Sequence, residues 1–253
     1  MTSRRRILLI NPNTSPLVTE ILVAEARSIA GEVAEIEGVT APFGSASLEC
    51  RAELAIAAHA VLEAIAARAD YDAVVIGAFG DPGLEAAQEI ARAPVFGLGR
   101  SGVRAAAAGG RRFAIVTLGA RLRADIERMI AACGLSRQLA AIHFLNAGVL
   151  DVAGDRAAFS DALVAAANSC VKESGAESIL LGGAPFAGVS RELAGRVIVP
   201  VFDGLASAMQ DALAASPIAA VDGAPHATAA RKAMTRIAPS LAERIDEVEH
   251  KHI

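Results

Sequence analysis

The sequence predicts an α/β protein built from two pseudo-twofold-related, Rossmann-like halves. Each half is a mostly parallel sheet flanked by helices, with a cleft between the two. Three observations carry this expectation. Short aliphatic runs alternate with longer amphipathic stretches along all 253 residues, the pattern of strands buried on both faces by crossover helices. Two well-separated segments recur at almost one offset. The chain is 53% hydrophobic but only 4% aromatic, without Trp, so Ala, Leu, Val and Ile must fill an interior of closely packed helix and sheet.

Strands are expected at 6–10, 33–38, 73–77, 95–97, 113–117, 140–144, 178–182 and 199–202. Each is a β-branched or aliphatic run closed by Gly, Pro or a polar residue. Helices are expected at about 15–30, 52–67, 83–91, 102–108, 120–133, 156–174, 190–193 and 204–215. The stretch "AAVDGAPHATAARK" reads as a connection, and 239–250 as a last helix serving either as a subunit contact or as a solvated amphipathic tail.

The repeat organises these elements. "RRILLINPNTSPLVTEIL" resembles "RRFAIVTLGARLRADIERM", 106 positions on from Arg5 to Arg111. "YDAVVIGAFGDPGLEAAQEIARAPVFGLG" resembles "AESILLGGAPFAGVSRELAGRVIVPVFDG", 105 positions on from Tyr71 to Ala176. The expected halves are 1–98 and 99–206, with 207–253 packing back on the first half or on a partner subunit. In open parallel sheets ligands bind beyond the carboxyl ends of the strands. Two facing halves therefore bring four strand ends to one cleft: "NPNTS" (11–15), "AFGDP" (78–82), "TLGAR" (117–121) and "GAPFAG" (183–188).

Composition narrows the function. A net charge of −4 from 24 basic and 28 acidic residues gives no clustered basic face for nucleic acid. Arg4-Arg5-Arg6 precedes only "ILLI", too short for a signal peptide, and no window reaches the about 18 apolar residues of a membrane span. A cytoplasmic protein without nucleic-acid or membrane partners is expected. Cys50, Cys133 and Cys170 are isolated, and no Cys/His pair has metal-ligand spacing, so no metal is expected.

The corners offer these candidates. In "INPNTSP", Asn11, Asn13 and Thr14 present polar groups at a helix N-terminus, where unpaired N–H groups and the dipole welcome a carboxylate or imide oxygen; Thr14 or Ser15 serves equally as a plain cap. In "GAFGDPG", Asp81 before Pro82 reads as the cap of the following helix or as a catalytic carboxylate. The N–H groups of Phe79 and Gly80, and of Gly183 and Ala184, are placed to hold a bound oxygen in the manner of an oxyanion hole. Thr117 ends its strand beside the cleft, bonding substrate or capping the next helix. Asp203 aligns with Gly97 or Leu98 and caps helix 204–215. Ser47 is a candidate cap for helix 52–67, supported by Glu49 or Glu53. Cys50 sits near the expected cleft rim, where a helix N-terminus lowers a thiol pKa. Cys50 and His59 join Asp81 as candidates for a base.

Taken together, "ILLINPNTS", "GAFGDPGLEAAQE", "FAIVT", "AESILLGGA" and "VPVFDGLASA" resemble the aspartate/glutamate racemase superfamily, and within it the hydantoin/allantoin racemase branch, over most of the chain. The resemblance implies a cofactor-independent, oligomeric isomerase with two cysteines on opposite faces of a carbon acid. One thiolate removes the α-proton and the other thiol returns one from the far side, while flanking amides hold the enolate. It also implies that the cysteine positions are Ala78 and Gly183 here, so this chain departs from the pattern at both. Arg100, in "GLGRSG", stands where many relatives carry an acidic residue.

Three functions follow as expectations. The first is a racemase or isomerase on a small carbon acid such as a hydantoin, amino acid or related ureide. The second is a cysteine-independent lyase or hydrolase on a small acid or cyclic imide, using backbone oxyanion stabilisation. The third is an inactive relative that binds small anions. In each, the partner is a small molecule carrying a carboxylate or imide oxygen.

Overall fold

The structure, a computed structural model, describes residues 4–216, 234, 235 and 237–249. The connection at 219–232 lies outside them, as do His226, His250 and His252. All eight expected strands are present: β1 (Arg5–Asn11), β2 (Ala34–Thr40), β3 (Ala73–Ile76), β4 (Val95–Gly97), β5 (Phe113–Thr117), β6 (Leu139–Phe144), β7 (Ser178–Gly182) and β8 (Val201–Asp203). They form two four-stranded sheets of the same design, ordered β2-β1-β3-β4 and β6-β5-β7-β8, with every pairing parallel. The repeat in the sequence is thus a repeat in topology. The inner strands β3, β5 and β7 are buried along their whole length, which explains their unbroken aliphatic runs.

Among the described residues the α-helices are α1 (Pro16–Ala30), α2 (Arg51–Ala66), α3 (Leu84–Ile90), α4 (Leu98–Ala107), α5 (Arg123–Ala132), α6 (Val149–Gly154), α7 (Ser160–Ser174), α8 (Val189–Glu192), α9 (Gly204–Ala214) and α10 (Pro239–Glu249). None is long and apolar enough to cross a membrane. Two expectations change. The helix expected at 102–108 begins at Leu98, because "GLGRSG" continues straight from β4 once its first N–H groups find an acceptor, described below. The helix expected at 156–174 is shorter, since a separate turn at Ala157–Phe159 precedes α7, and α6, which ends at its C-cap Asp155, was not expected.

The last helix of each half packs against the other half's sheet. α4, which follows β4, lies on β7 and β8; α9, which follows β8, lies on β3 and β4. The two helices cross each other at the pseudo-dyad. Small residues permit the approach: a Cβ added to Gly204 would meet the Leu98 carbonyl oxygen at 2.7 Å, and one on Gly102 would meet the Gly204 Cα at 3.3 Å. Phe79 of the first half also packs into the second half's core with Val103, Phe113 and Leu180. Leu241 of α10 is buried in the first half's core, with Ile237 and Ile245 packed alongside, and Arg92 holds Glu247 with two bonds of 2.8 and 2.9 Å. α10 is therefore a packed helix and not a solvated tail.

The α4–α9 contact yields a direct expectation. Gly204→Ala places its methyl against backbone, which cannot rotate away, so stability should fall by about 1–3 kcal/mol. A lowered urea midpoint checks this; an unchanged midpoint contradicts the packing.

Candidate active site

The carboxyl ends of β1, β3, β5 and β7 meet as expected, and the space between them is a cleft of about 620 Å³ including its open mouth. Its floor is made by the two turns, Gly77–Gly80 and Gly182–Pro185. Ala78 and Gly183 therefore line one shared void, as do the expected contact residues Asn13, Phe79, Gly80, Thr117 and Ala184.

The N–H groups of Ala78, Phe79, Gly80, Gly183 and Ala184 donate to no acceptor among the described residues. Ala78, Phe79 and Ala184 are buried, where backbone donors are usually satisfied; Gly80 is exposed and Gly183 half-buried, so solvent reaches those two N–H groups, and all five belong to residues lining the cleft. The turns leave them free because their other polar groups close locally: the Asp81 N–H donates to the Ala78 carbonyl at 3.0 Å and the Phe186 N–H to the Gly183 carbonyl at 3.1 Å. Gly183 has φ +146°, a backbone conformation an L side chain rarely adopts.

Asn11 and Asn13 divide the work of the first loop. Asn11 is fully buried and does not line the cleft. Its amide donates to the Asn13 Oδ1 at 2.9 Å, the Ser15 carbonyl at 3.0 Å and the Thr19 hydroxyl at 3.0 Å. The Asn13 Oδ1 also accepts the Ser15 N–H at 2.9 Å, so the Asn13 amide NH2 is the polar group left for the cleft. Thr14 lies outside the lining, its N–H donating to the Ser45 carbonyl. Ser15 caps α1 through the Val18 N–H. Thr117 lines the cleft but caps nothing. Its hydroxyl donates to the Gly182 carbonyl at 2.6 Å, tying β5 to β7 and leaving oxygen lone pairs as acceptors.

Asp81 is not the cap of α3, which starts at Leu84 behind Gly83. The turn carries Asp81 at φ +45° and aims its carboxylate at a different helix. Oδ1 accepts the Gly99 N–H and Oδ2 the Arg100 N–H, both at 2.7 Å, capping α4. The counterpart helix α9 is capped by its own preceding residue, Asp203, whose Oδ1 accepts the Ala206 N–H at 2.8 Å. Asp203 corresponds to Gly97, and a Cβ on Gly97 would lie 2.3 Å from the Asp81 carboxyl carbon. The first half thus removes the side chain at the cap position and fills the gap from the neighbouring turn. Burial pushes the Asp81 carboxyl up to about 7, against the pull of the two N–H donors and of Arg100 and Arg104.

The other candidate bases lie off the cleft. Cys50 is the N-cap of α2, its N–H held by Glu53 at 2.9 Å. Ser47 does not cap α2; its hydroxyl donates to Glu49 at 3.0 Å. His59 stands on α2, 3.2 Å from Glu63 and edge-on to Phe43. Arg100 pairs with Glu85, outside the lining.

Sequence reasoning missed the apolar wall of Leu48, Leu54, Leu118, Leu122, Ile126 and Val149, and with it Asp125. Asp125 is the sole ionisable side chain on the lining among the described residues. Its Oδ2 accepts from the Arg51 Nε of the first half at 2.9 Å, and Oδ1 from Arg128. The repeat held a pointer to it. The position 106 residues earlier is Thr19, which bonds both the Asn11 loop and Thr40.

The fold and site together define a pseudo-symmetric α/β protein with one interdomain cleft, floored by backbone donors from two equivalent strand-to-helix turns. A family model for Asp/Glu/hydantoin racemases matches residues 7–212, and the chain belongs to that family. Its relatives put it in the hydantoin racemase branch. The hydantoin racemase of Paenarthrobacter aurescens is 34% identical over 207 residues, covering 80% of this chain and 87% of that protein. The allantoin racemase from Klebsiella pneumoniae superposes with a TM-score of 0.79 at 34% identity, over 82% of this chain and 86% of its own. The allantoin racemase from Pseudomonas fluorescens gives 0.78 at 33%, over 82% and 88%.

Asp81 sets a pH signature. A carboxyl that holds its proton more tightly folded than unfolded favours the folded state when protonated. That contribution is present below the ordinary value of 3.8 and is lost as pH rises through about 7. Asp81→Asn should therefore narrow the difference in unfolding free energy between about pH 4 and about pH 8. Denaturation at both pH values checks this; an equal difference in the two proteins contradicts it.

Proposed function

We propose that this chain is an isomerase of the carbon-acid type that acts on a small cyclic ureide, for which a 5-substituted hydantoin is the probe. One observation carries the substrate class: among the described residues no cationic side chain lines the cleft, and the sole charge there is the carboxylate of Asp125. Aspartate or glutamate would bring carboxylates into a site with no counter-charge. A neutral ureide brings carbonyl oxygens, which suit five unpaired N–H groups, and ring N–H donors. The imide-oxygen half of the sequence expectation is therefore preferred to the carboxylate half.

Water or hydroxide entering through the open mouth takes the C5 proton, and the charge left behind moves onto the adjacent carbonyl oxygen, so no cofactor is needed to delocalise it. Donors aimed where that charge develops are worth about 10²- to 10³-fold each in rate. The family resemblance puts two proton-transfer thiols at Ala78 and Gly183, and neither residue carries a titratable group. Positioned acid–base groups contribute about 10²- to 10⁴-fold, so this site should be slow. It should also lack a positioned proton donor on the second face. The backbone of Gly183, at φ +146°, supports a site settled on glycine at that position.

A cysteine-independent lyase is the second reading: the lack of a titratable group at Ala78 and Gly183 favours it, and the lack of a counter-charge for a carboxylate on the lining opposes it. Loss of CO2 from a malonate-type acid produces the enolate without any base, leaving only oxyanion donors and a proton for the site to supply.

The test is enantiopure 5-benzylhydantoin in D2O, followed by NMR and polarimetry. Deuterium should enter C5 above the buffer rate and several-fold faster than optical rotation is lost, because protons return to the face they left. Exchange no faster than buffer overturns the isomerase reading. Release of CO2 from an arylmalonate without hydantoin exchange moves the assignment to the lyase.

A further inference from the structure

We infer that Asp125 accepts a ring N–H of the substrate, so that the cleft selects a ureide by its donor as well as by its carbonyls. The inference rests on the ureide reading above and deepens it.

Asp125 is the third residue of α5, and its side chain is 17% exposed. Two arginines hold it: Arg51, at the start of α2 in the first half, and Arg128, one turn along α5. Their own side chains are mostly exposed, at 60% and 62%, so they orient the carboxylate without occupying the cleft. A carboxylate oxygen accepts two bonds. One bond from each arginine leaves both oxygens able to take another donor. Its surroundings on that wall, Leu122 and Ile126 among them, offer no competing polar atom.

The lining is therefore asymmetric in hydrogen-bond sense. The two turns present unpaired N–H donors, and α5 presents a charged acceptor. A small ring in which carbonyl and N–H alternate satisfies both walls at once. A carboxylate substrate, which carries acceptors only at its acid group, satisfies one wall and opposes the other. Bonds to charged groups are among the stronger ones in proteins, and a single such contact is worth about 10- to 100-fold in affinity.

The experiment is calorimetric binding of 5-benzylhydantoin and its N1-methyl and N3-methyl derivatives to the full chain, Asp125→Ala and Asp125→Asn. The wild type should bind the parent about 10- to 100-fold more tightly than one of the methylated rings. Asp125→Ala should bind that pair equally, and Asp125→Asn should fall between. If the alanine variant melts below the assay temperature, the asparagine variant and the wild-type comparison carry the decision. A wild type indifferent to both methyl groups, or variants that keep the wild-type ratio, overturns the role of Asp125 while leaving the ureide reading in place. A folded wild type that binds none of the three rings overturns both.

Discussion

The crossing of α4 and α9 at the pseudo-dyad is the constraint from which the rest follows. Each helix leaves its own sheet and covers the other's, so neither half can bury its last strands alone. The approach of Gly204 to Leu98 and Gly102 sets the separation of the two sheets. It thereby sets where the carboxyl ends of β3 and β7 arrive, and those ends are the two turns that floor the cleft. The caps of these helices belong to the same arrangement. In one half the cap is Asp203, in place; in the other it is Asp81, reaching from the cleft turn itself. The turn that lines the site is thus bolted to the helix that holds the halves together. An ion pair between Arg191 of the second half and Glu25 of the first, with one bond of 2.7 Å, spans the same junction.

Most of the architecture was legible in the sequence because it rests on local pattern. Strands buried on both faces must be aliphatic, the turns must hold Gly or Pro, and a duplicated design must repeat. All eight strands and the shared cleft of Ala78 and Gly183 came from these rules. What escaped depends on contacts far apart in the chain. Asp81 looks like a local cap because Pro82 follows it, yet its carboxylate serves Gly99 and Arg100, 18 and 19 positions on. α4 starts four residues before the expected point because that distant cap supplies what "GLGRSG" lacks. Asp125 looks like an ordinary first-turn acid of a surface helix, and only the closing of the two halves turns it toward the cleft. Asn11 and Asn13 are indistinguishable in sequence; the structure assigns one to holding the loop and the other to the lining.

The chemistry follows from how the lining divides its polarity. Among the described residues, side chains contribute one carboxylate, one amide and one hydroxyl to the lining; the remaining polarity is main chain. Main-chain donors are fixed by the fold, so they need no reorganisation as charge develops on a bound oxygen, which is the condition for strong electrostatic stabilisation. They supply no proton. On the function proposed above, such a lining would hold an enolate well and form one slowly, because Ala78 and Gly183 carry no titratable group.

The most direct measurement is a crystal structure with an enantiopure 5-benzylhydantoin bound. A ring carbonyl oxygen should lie about 2.7–3.1 Å from main-chain nitrogens of both turns, the geometry of oxyanion donors, with C5 between Ala78 and Gly183. A ring bound outside the cleft, or inside it without contact to either turn, would contradict the account.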